Sequence, residues 1–110
     1  MRISNYFKEE EKKAGAAPLS EAIESAPKKK GFYIIEIDLD KKFIGIAEKG
    51  LREKFIELYS GLRLNEDMVA INAYENRDKI VVHWMEESSE EEANQYIEKF
   101  KQTYSLGWME

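Results

Sequence analysis

The sequence predicts an α+β domain in the order β-β-α-β-β-α, its four strands forming one antiparallel sheet with two helices on one face. Two observations carry this. Residues 32–110 hold two pairs of apolar, β-branched stretches, and each pair is followed by a segment whose apolar residues recur at helical spacing. Neither half could bury its apolar face alone, so the halves must share a core. A chain of 110 residues with 43% hydrophobic content supplies one such core and leaves little room for a second.

Each element follows from local pattern. Residues 1–31 read as an N-terminal docking peptide and linker. A short helix is expected around "ISNYFKEEEKKA", with Ser4 or Asn5 as its cap. "AGAAP" breaks it, and "PLSEAIESA" is good for a turn or two of helix before "PKKKG". The compact acidic domain is expected over 32–110. "FYIIEIDL" places Tyr33, Ile35, Ile37 and Leu39 on one strand face, and "FIGIA" returns after the turn "DKK". Leu51, Phe55, Leu58 and Leu62 then form a helical stripe, with Gly61 as a stop signal. "MVAINAYE" and "KIVVHWM", joined by "NRD", read as a second hairpin. Ser89 and Glu92 have capping-box spacing at the start of a last helix, whose apolar face is Ala93, Tyr96, Ile97, Phe100 and Tyr104.

The first and fourth strands are apolar on both sides: Phe32 and Ile34 oppose Tyr33 and Ile35, and Val81 and Met85 oppose Val82 and Trp84. A sheet covered on one face only alternates more cleanly. The second face is therefore expected to be covered too, by residues 1–31, by a second copy in a homodimer, or by a partner.

Charge narrows the functional classes. The formal net charge is −5, distributed as +2 over residues 1–31 and −7 over 32–110. An acidic body releases few counterions from phosphates, so direct nucleic-acid binding by the domain is not expected. Lys28, Lys29 and Lys30 form the one basic run and read as solubilising. No apolar run approaches the ~20 residues of a membrane span, and the N-terminus has no apolar signal core, so a cytoplasmic protein is expected. With no cysteine there is no disulfide and no thiolate ligand. Abundant Lys and Glu, with few Gln, resemble a thermophile's composition.

The opening "MRISNYF" raises a different expectation. Ile3 is followed three and four residues later by Tyr6 and Phe7, and all three share one side of a helical turn. This resembles the PIP box, the sliding-clamp-binding peptide of replication and repair proteins. The glutamine that precedes the aliphatic residue by three in that family has no counterpart here. The resemblance implies a sliding clamp as protein partner and Ile3, Tyr6 and Phe7 as the anchor.

Other side chains offer chemistry. Glu36, Asp38 and Asp40 cluster near one turn, as carboxylates that bind a cation in phosphoryl transfer do. Glu86, Glu87, Glu90, Glu91 and Glu92 make an acidic patch at a helix start, where the helix dipole favours them. His83, the one histidine, lies between Val82 and Trp84 and reads as structural. "GIAEKG" lacks the Lys-Ser/Thr ending of a phosphate loop. The preferred reading is a non-catalytic accessory protein of a replication or repair assembly, docking through its N-terminal peptide, with no catalytic residue, metal or cofactor. The second is a small enzyme with a carboxylate site at Glu36, Asp38 and Asp40. The third is an acidic inhibitor of a nucleic-acid-binding protein.

Overall fold

The computed structural model describes residues 14–62, 68–86 and 89–108. In chain order it contains β1 (Ala14–Pro18), α1 (Leu19–Ser25), β2 (Gly31–Ile37), β3 (Asp40–Ala47), α2 (Leu51–Ser60), α3 (Met68–Glu75), β4 (Ile80–Glu86) and α4 (Glu90–Thr103). The four strands form one antiparallel sheet in the order β1-β4-β2-β3. The α+β class and the four-stranded antiparallel sheet are as expected. β2 and β4 are the inner strands, which is why both are apolar on both sides.

The cover differs from the expectation of two helices on one face. Tyr33, Ile35, Ile80 and Val82 point to α1, α2 and α3, where Leu19, Ala22, Leu51, Phe55, Leu58 and Ala73 complete a core. Phe55 is wholly buried, edge-on to Tyr33 at 5.7 Å and 5.8 Å from the Trp84 ring. Burying a side chain of this size is worth about 1.5–3 kcal/mol. Phe32 and Ile44 point the other way, against Ala93, Ile97 and Phe100 of α4. The second face is thus covered by the chain's own last helix rather than by a second copy, a partner or residues 1–31.

Two segments exchange roles. "MVAINAYE" is a helix, not a strand. Its alternation is weak, while Ala70 and Ala73, three apart, are both buried and let α3 approach closely. The edge of β4 that it would have joined is occupied by β1, from the stretch read as a linker. "AGAAP" has little strand propensity, but its small residues suit the place. A Cβ at Gly15 would lie 2.6 Å from the Trp84 ring, and Pro18 ends an edge strand, where a missing N–H costs no ladder bond. The division at 31/32 is corrected accordingly. Leu19, Ala22 and Ala26 are completely buried, so the folded unit begins no later than Ala14. Ile3, Tyr6 and Phe7 lie outside the described residues.

Several local signals hold. The Glu92 N–H donates to Ser89 Oγ at 3.1 Å, capping α4. Gly61 ends α2 in the left-handed conformation at φ 73°. Leu39, expected on the inner face of β2, sits instead in the β2–β3 turn, where Asp38 and Leu39 both have positive φ and Leu39 is 87% exposed. Positive φ at both central residues is the two-residue hairpin geometry whose twist matches the strands.

Candidate functional site

The carboxylates singled out in the sequence do not converge. Glu36 is 9% exposed and points to the α4 face of the sheet, where His83 Nε2 donates to its Oε1 at 2.9 Å and the Lys41 ammonium lies 3.6 Å from Oε2. The His83 hydrogen bond foremost holds the Glu36 carboxyl below its usual range. Burial opposes this, and the charges of protonated His83 and of Lys41 add to it. Asp38 lies in the turn, and Asp40 is ion-paired with Lys42 at 2.9 Å. Among the described residues, no three His, Asp or Glu side chains are grouped to hold a metal ion. A carboxylate site at Glu36, Asp38 and Asp40 is therefore not built: Glu36 belongs to a structural pair with His83. Of the acidic patch, Glu86 ends β4 and Glu90, Glu91 and Glu92 are exposed in the first turn of α4, while Glu87 lies outside the described residues.

The concave feature lies on the opposite face. A cavity of about 530 Å³ opens between the end of the β2–β3 hairpin, α2 and α3. Tyr33 and Gly45 face each other across the β2–β3 ladder at its floor. The glycine makes the space: a Cβ there would lie 2.7 Å from the Phe43 ring and 3.2 Å from the Tyr33 hydroxyl. The segment 45–50, "GIAEKG", forms one wall, and Lys54, Glu57 and Leu58 of α2 form another. Gly50 turns the chain into α2 at φ 126°, where a Cβ would press on the Lys28 carbonyl at 2.9 Å.

Charge at the cavity is local and paired. Its ionisable lining is Tyr33, Glu48, Lys49, Lys54 and Glu57. The Lys54 ammonium lies 3.5 Å from a Glu57 carboxylate oxygen one turn along the same helix. The start of α2 is not an open anion site, because the Leu51 and Arg52 N–H groups donate to the Lys29 and Pro27 carbonyls. Arg52 Nε donates to the Ala26 carbonyl at 2.7 Å, so this side chain also ties the loop to the helix. These bonds bring the one basic run of the sequence, the exposed Lys28, Lys29 and Lys30, beside Gly50 at the cavity wall. A phenol, two ammonium groups and a basic rim can receive an anion and move a proton next to it.

Sequence reasoning missed Tyr33, Gly45, Lys54 and Glu57, having read them as core, strand and helix surface. The available signal was a tyrosine and a glycine in register on paired strands, with a lysine-bearing helix directly after them.

No family model matches the chain, and no curated protein matches it in sequence. Among solved structures, its fold is similar to the GIY-YIG N-terminal endonuclease domain of UvrC from Thermotoga maritima. A point mutant of that domain, bound to its catalytic divalent cation, superposes with a TM-score of 0.64 at 18% identity, covering 84% of this chain and 94% of that one. A tyrosine-to-phenylalanine mutant gives 0.64 at 20% identity, covering 84% and 96%. The magnesium-bound domain gives 0.62 at 20% identity, over 84% and 96%. The tripeptides spelled in that name, Gly-Ile-Tyr and Tyr-Ile-Gly, each differ by one residue from Gly31-Phe32-Tyr33 and Phe43-Ile44-Gly45, which lie on the paired strands β2 and β3.

This overturns the reading as a non-catalytic accessory protein, since the fold is similar to that of an endonuclease domain. Nothing in the comparisons supports a sliding clamp or a replication role. The expectation that the domain does not meet nucleic acid directly gives way as well. It rested on net charge, which averages over the surface and hides the lysines gathered at one cavity. No helix among the described residues is long and apolar enough to cross a membrane.

The structural neighbours hold a divalent cation, so the cavity's donors bear testing against one. Such ions need oxygen ligands without competing cations beside them. Among the described residues, the cavity offers two carboxylates, Glu48 and Glu57, against two ammonium groups, Lys49 and Lys54, and Glu57 is paired with Lys54. α4 adds none: its inward side chains Ala93, Ile97 and Phe100 lie on the other face of the sheet. This donor set does not fit a divalent cation.

Proposed function

We propose that this chain is a small nuclease-type domain of the cytoplasm that takes a phosphodiester of a nucleic-acid strand into the cavity beside Tyr33 and Lys54. The observation that carries the reading is the paired Gly-Phe-Tyr and Phe-Ile-Gly strands, which bring Tyr33 and Gly45 together at the floor of a lysine-rimmed cavity in an endonuclease fold.

Roles follow from the chemistry of each group. Lys54 and Lys49 meet the negative charge of the phosphate and its increase as water adds to phosphorus. The bond from phosphorus to the leaving sugar oxygen then breaks, and that oxygen takes a proton. Tyr33 is the group at the cavity floor able to exchange protons with the attacking water or the leaving oxygen. Lys28, Lys29 and Lys30 hold the flanking strand by its backbone, without reading its sequence.

Labelled single- and double-stranded oligonucleotides, followed by anisotropy and by gel, test this on the full chain. Binding is expected in the range of about 1–100 μM, set by phosphate contacts and weakened by salt. Tyr33→Phe should lower cleavage by roughly 100-fold or more while leaving affinity nearly unchanged. If no substrate is bound or cut at protein concentrations of about 100 μM and low salt, the reading is wrong.

A further inference from the structure

We infer that the Lys54 ammonium, positioned by Glu57, is the positive group that receives the phosphate in this cavity, and that a divalent cation has no resident place there. The inference rests on the phosphodiester reading above and concerns what meets the phosphate's charge. Three observations converge on it. Lys54 and Glu57 are three residues apart on α2 with their charged atoms 3.5 Å apart, and the Glu57 side chain is only 13% exposed. A carboxylate held this way aims its lysine, and is itself engaged. The helix start that could otherwise supply positive potential is closed by the Lys29 and Pro27 carbonyls. Finally, among the described residues the other lining carboxylate is Glu48, and its chain neighbour Lys49 also lines the cavity, so ammonium groups match carboxylates there in number.

An ammonium and a divalent cation differ in what they demand. The cation needs several oxygen donors and organises water around itself. The ammonium carries its charge on the chain and needs only a partner to orient it. In this cavity Glu57, the lining carboxylate on α2, forms that partnership instead. Glu57 is accordingly a positioning residue, acting on the phosphate through Lys54.

Two measurements on the full chain test this. In the first, MnCl₂ and MgCl₂ are titrated into the protein alone by calorimetry, and no saturable binding is expected. In the second, oligonucleotide affinity is compared in EDTA and in Mg²⁺ at matched ionic strength, and should agree within about twofold. Lys54→Ala should weaken binding and reduce the slope of log affinity against log salt by about 1, because one phosphate contact is lost. Lys54→Arg should restore that slope. Glu57→Gln should keep most of the slope but weaken binding, as expected of a residue that aims a charge rather than supplying it. Saturable metal binding that Glu57→Gln abolishes would overturn the inference and leave the phosphodiester reading standing. An unchanged salt slope in Lys54→Ala would also overturn it. Failure of any oligonucleotide to bind in either buffer would remove the phosphodiester reading, and this inference with it.

Discussion

Gly45→Ala tests whether the cavity floor depends on the missing side chain. The added methyl would sit 2.7 Å and 3.1 Å from two carbons of the Phe43 ring and 3.2 Å from the Tyr33 hydroxyl. Favourable carbon contacts lie at about 3.5–4.0 Å, so at least one ring must move. Neither is free to do so: Phe43 packs on the core and Tyr33 is 4% exposed, edge-on to Phe55. Overpacking of this kind costs about 1–3 kcal/mol. In a domain of this size each kcal/mol lowers Tm by roughly 4–8 °C. The variant should therefore melt roughly 4–24 °C below the parent by calorimetry. It should also lose cleavage in the oligonucleotide assay, because the Tyr33 phenol is displaced. Gly107→Ala is the matched control. Among the described residues its Cβ would meet only the Lys42 side chain, at 3.6 Å, so a change within about 0.5 kcal/mol is expected. Equal melting of the two variants would refute the argument that Gly45 is required by close approach.

Leu19→Ala should cost about 3–5 kcal/mol, the range for a fully buried leucine in a core that relaxes only partly. Chemical denaturation measures it, and a loss below about 1 kcal/mol would mean that residues 14–26 are not part of the cooperative unit. Stability should also depend on Glu36 in acid. Its carboxyl is lowered from 4.5 in the folded chain, so its contribution is fully present above that value and is lost as pH falls through the folded value. Glu36→Gln should flatten the acid limb of a Tm-against-pH curve and leave its neutral region parallel to the parent's. An identical acid limb in both proteins would show that the His83 bond carries no linkage.

The sheet was legible where side-chain alternation was strong. "FYIIEI" and "IVVHWM" are apolar on both sides because they are the inner strands β2 and β4, and that demand for two covered faces can be read without coordinates. The helix stripe from Leu51 to Leu58, the Gly61 stop and the Ser89 cap are likewise local, each set by neighbours within a turn or two. β1 was not legible. Ala14 to Pro18 become a strand because β4 presents an open edge and Trp84 leaves room only for glycine opposite it, and both conditions come from residues about seventy positions away. α3 was misread for the complementary reason: with that edge filled by β1, "MVAINAYE" had no strand to pair with, and its two buried alanines favour close helix packing.

The same division runs through the candidate site. The sequence by itself determined which groups exist: one phenol and one glycine on successive strands, a lysine and a glutamate three apart on the next helix, and a run of three lysines ahead of them. It also determined the acidic average that made nucleic acid look like an improbable partner. Tertiary structure decided which groups meet. Antiparallel register sets Tyr33 opposite Gly45, loop carbonyls draw Lys28 to Lys30 against the start of α2, and the same sheet turns Glu36 away toward His83. Hydrophobic periodicity records that a face is buried, but not what buries it, because burial of apolar area is non-directional. Sites depend on direction and on distances of a few ångströms, and those are set only when strands pair and helices pack.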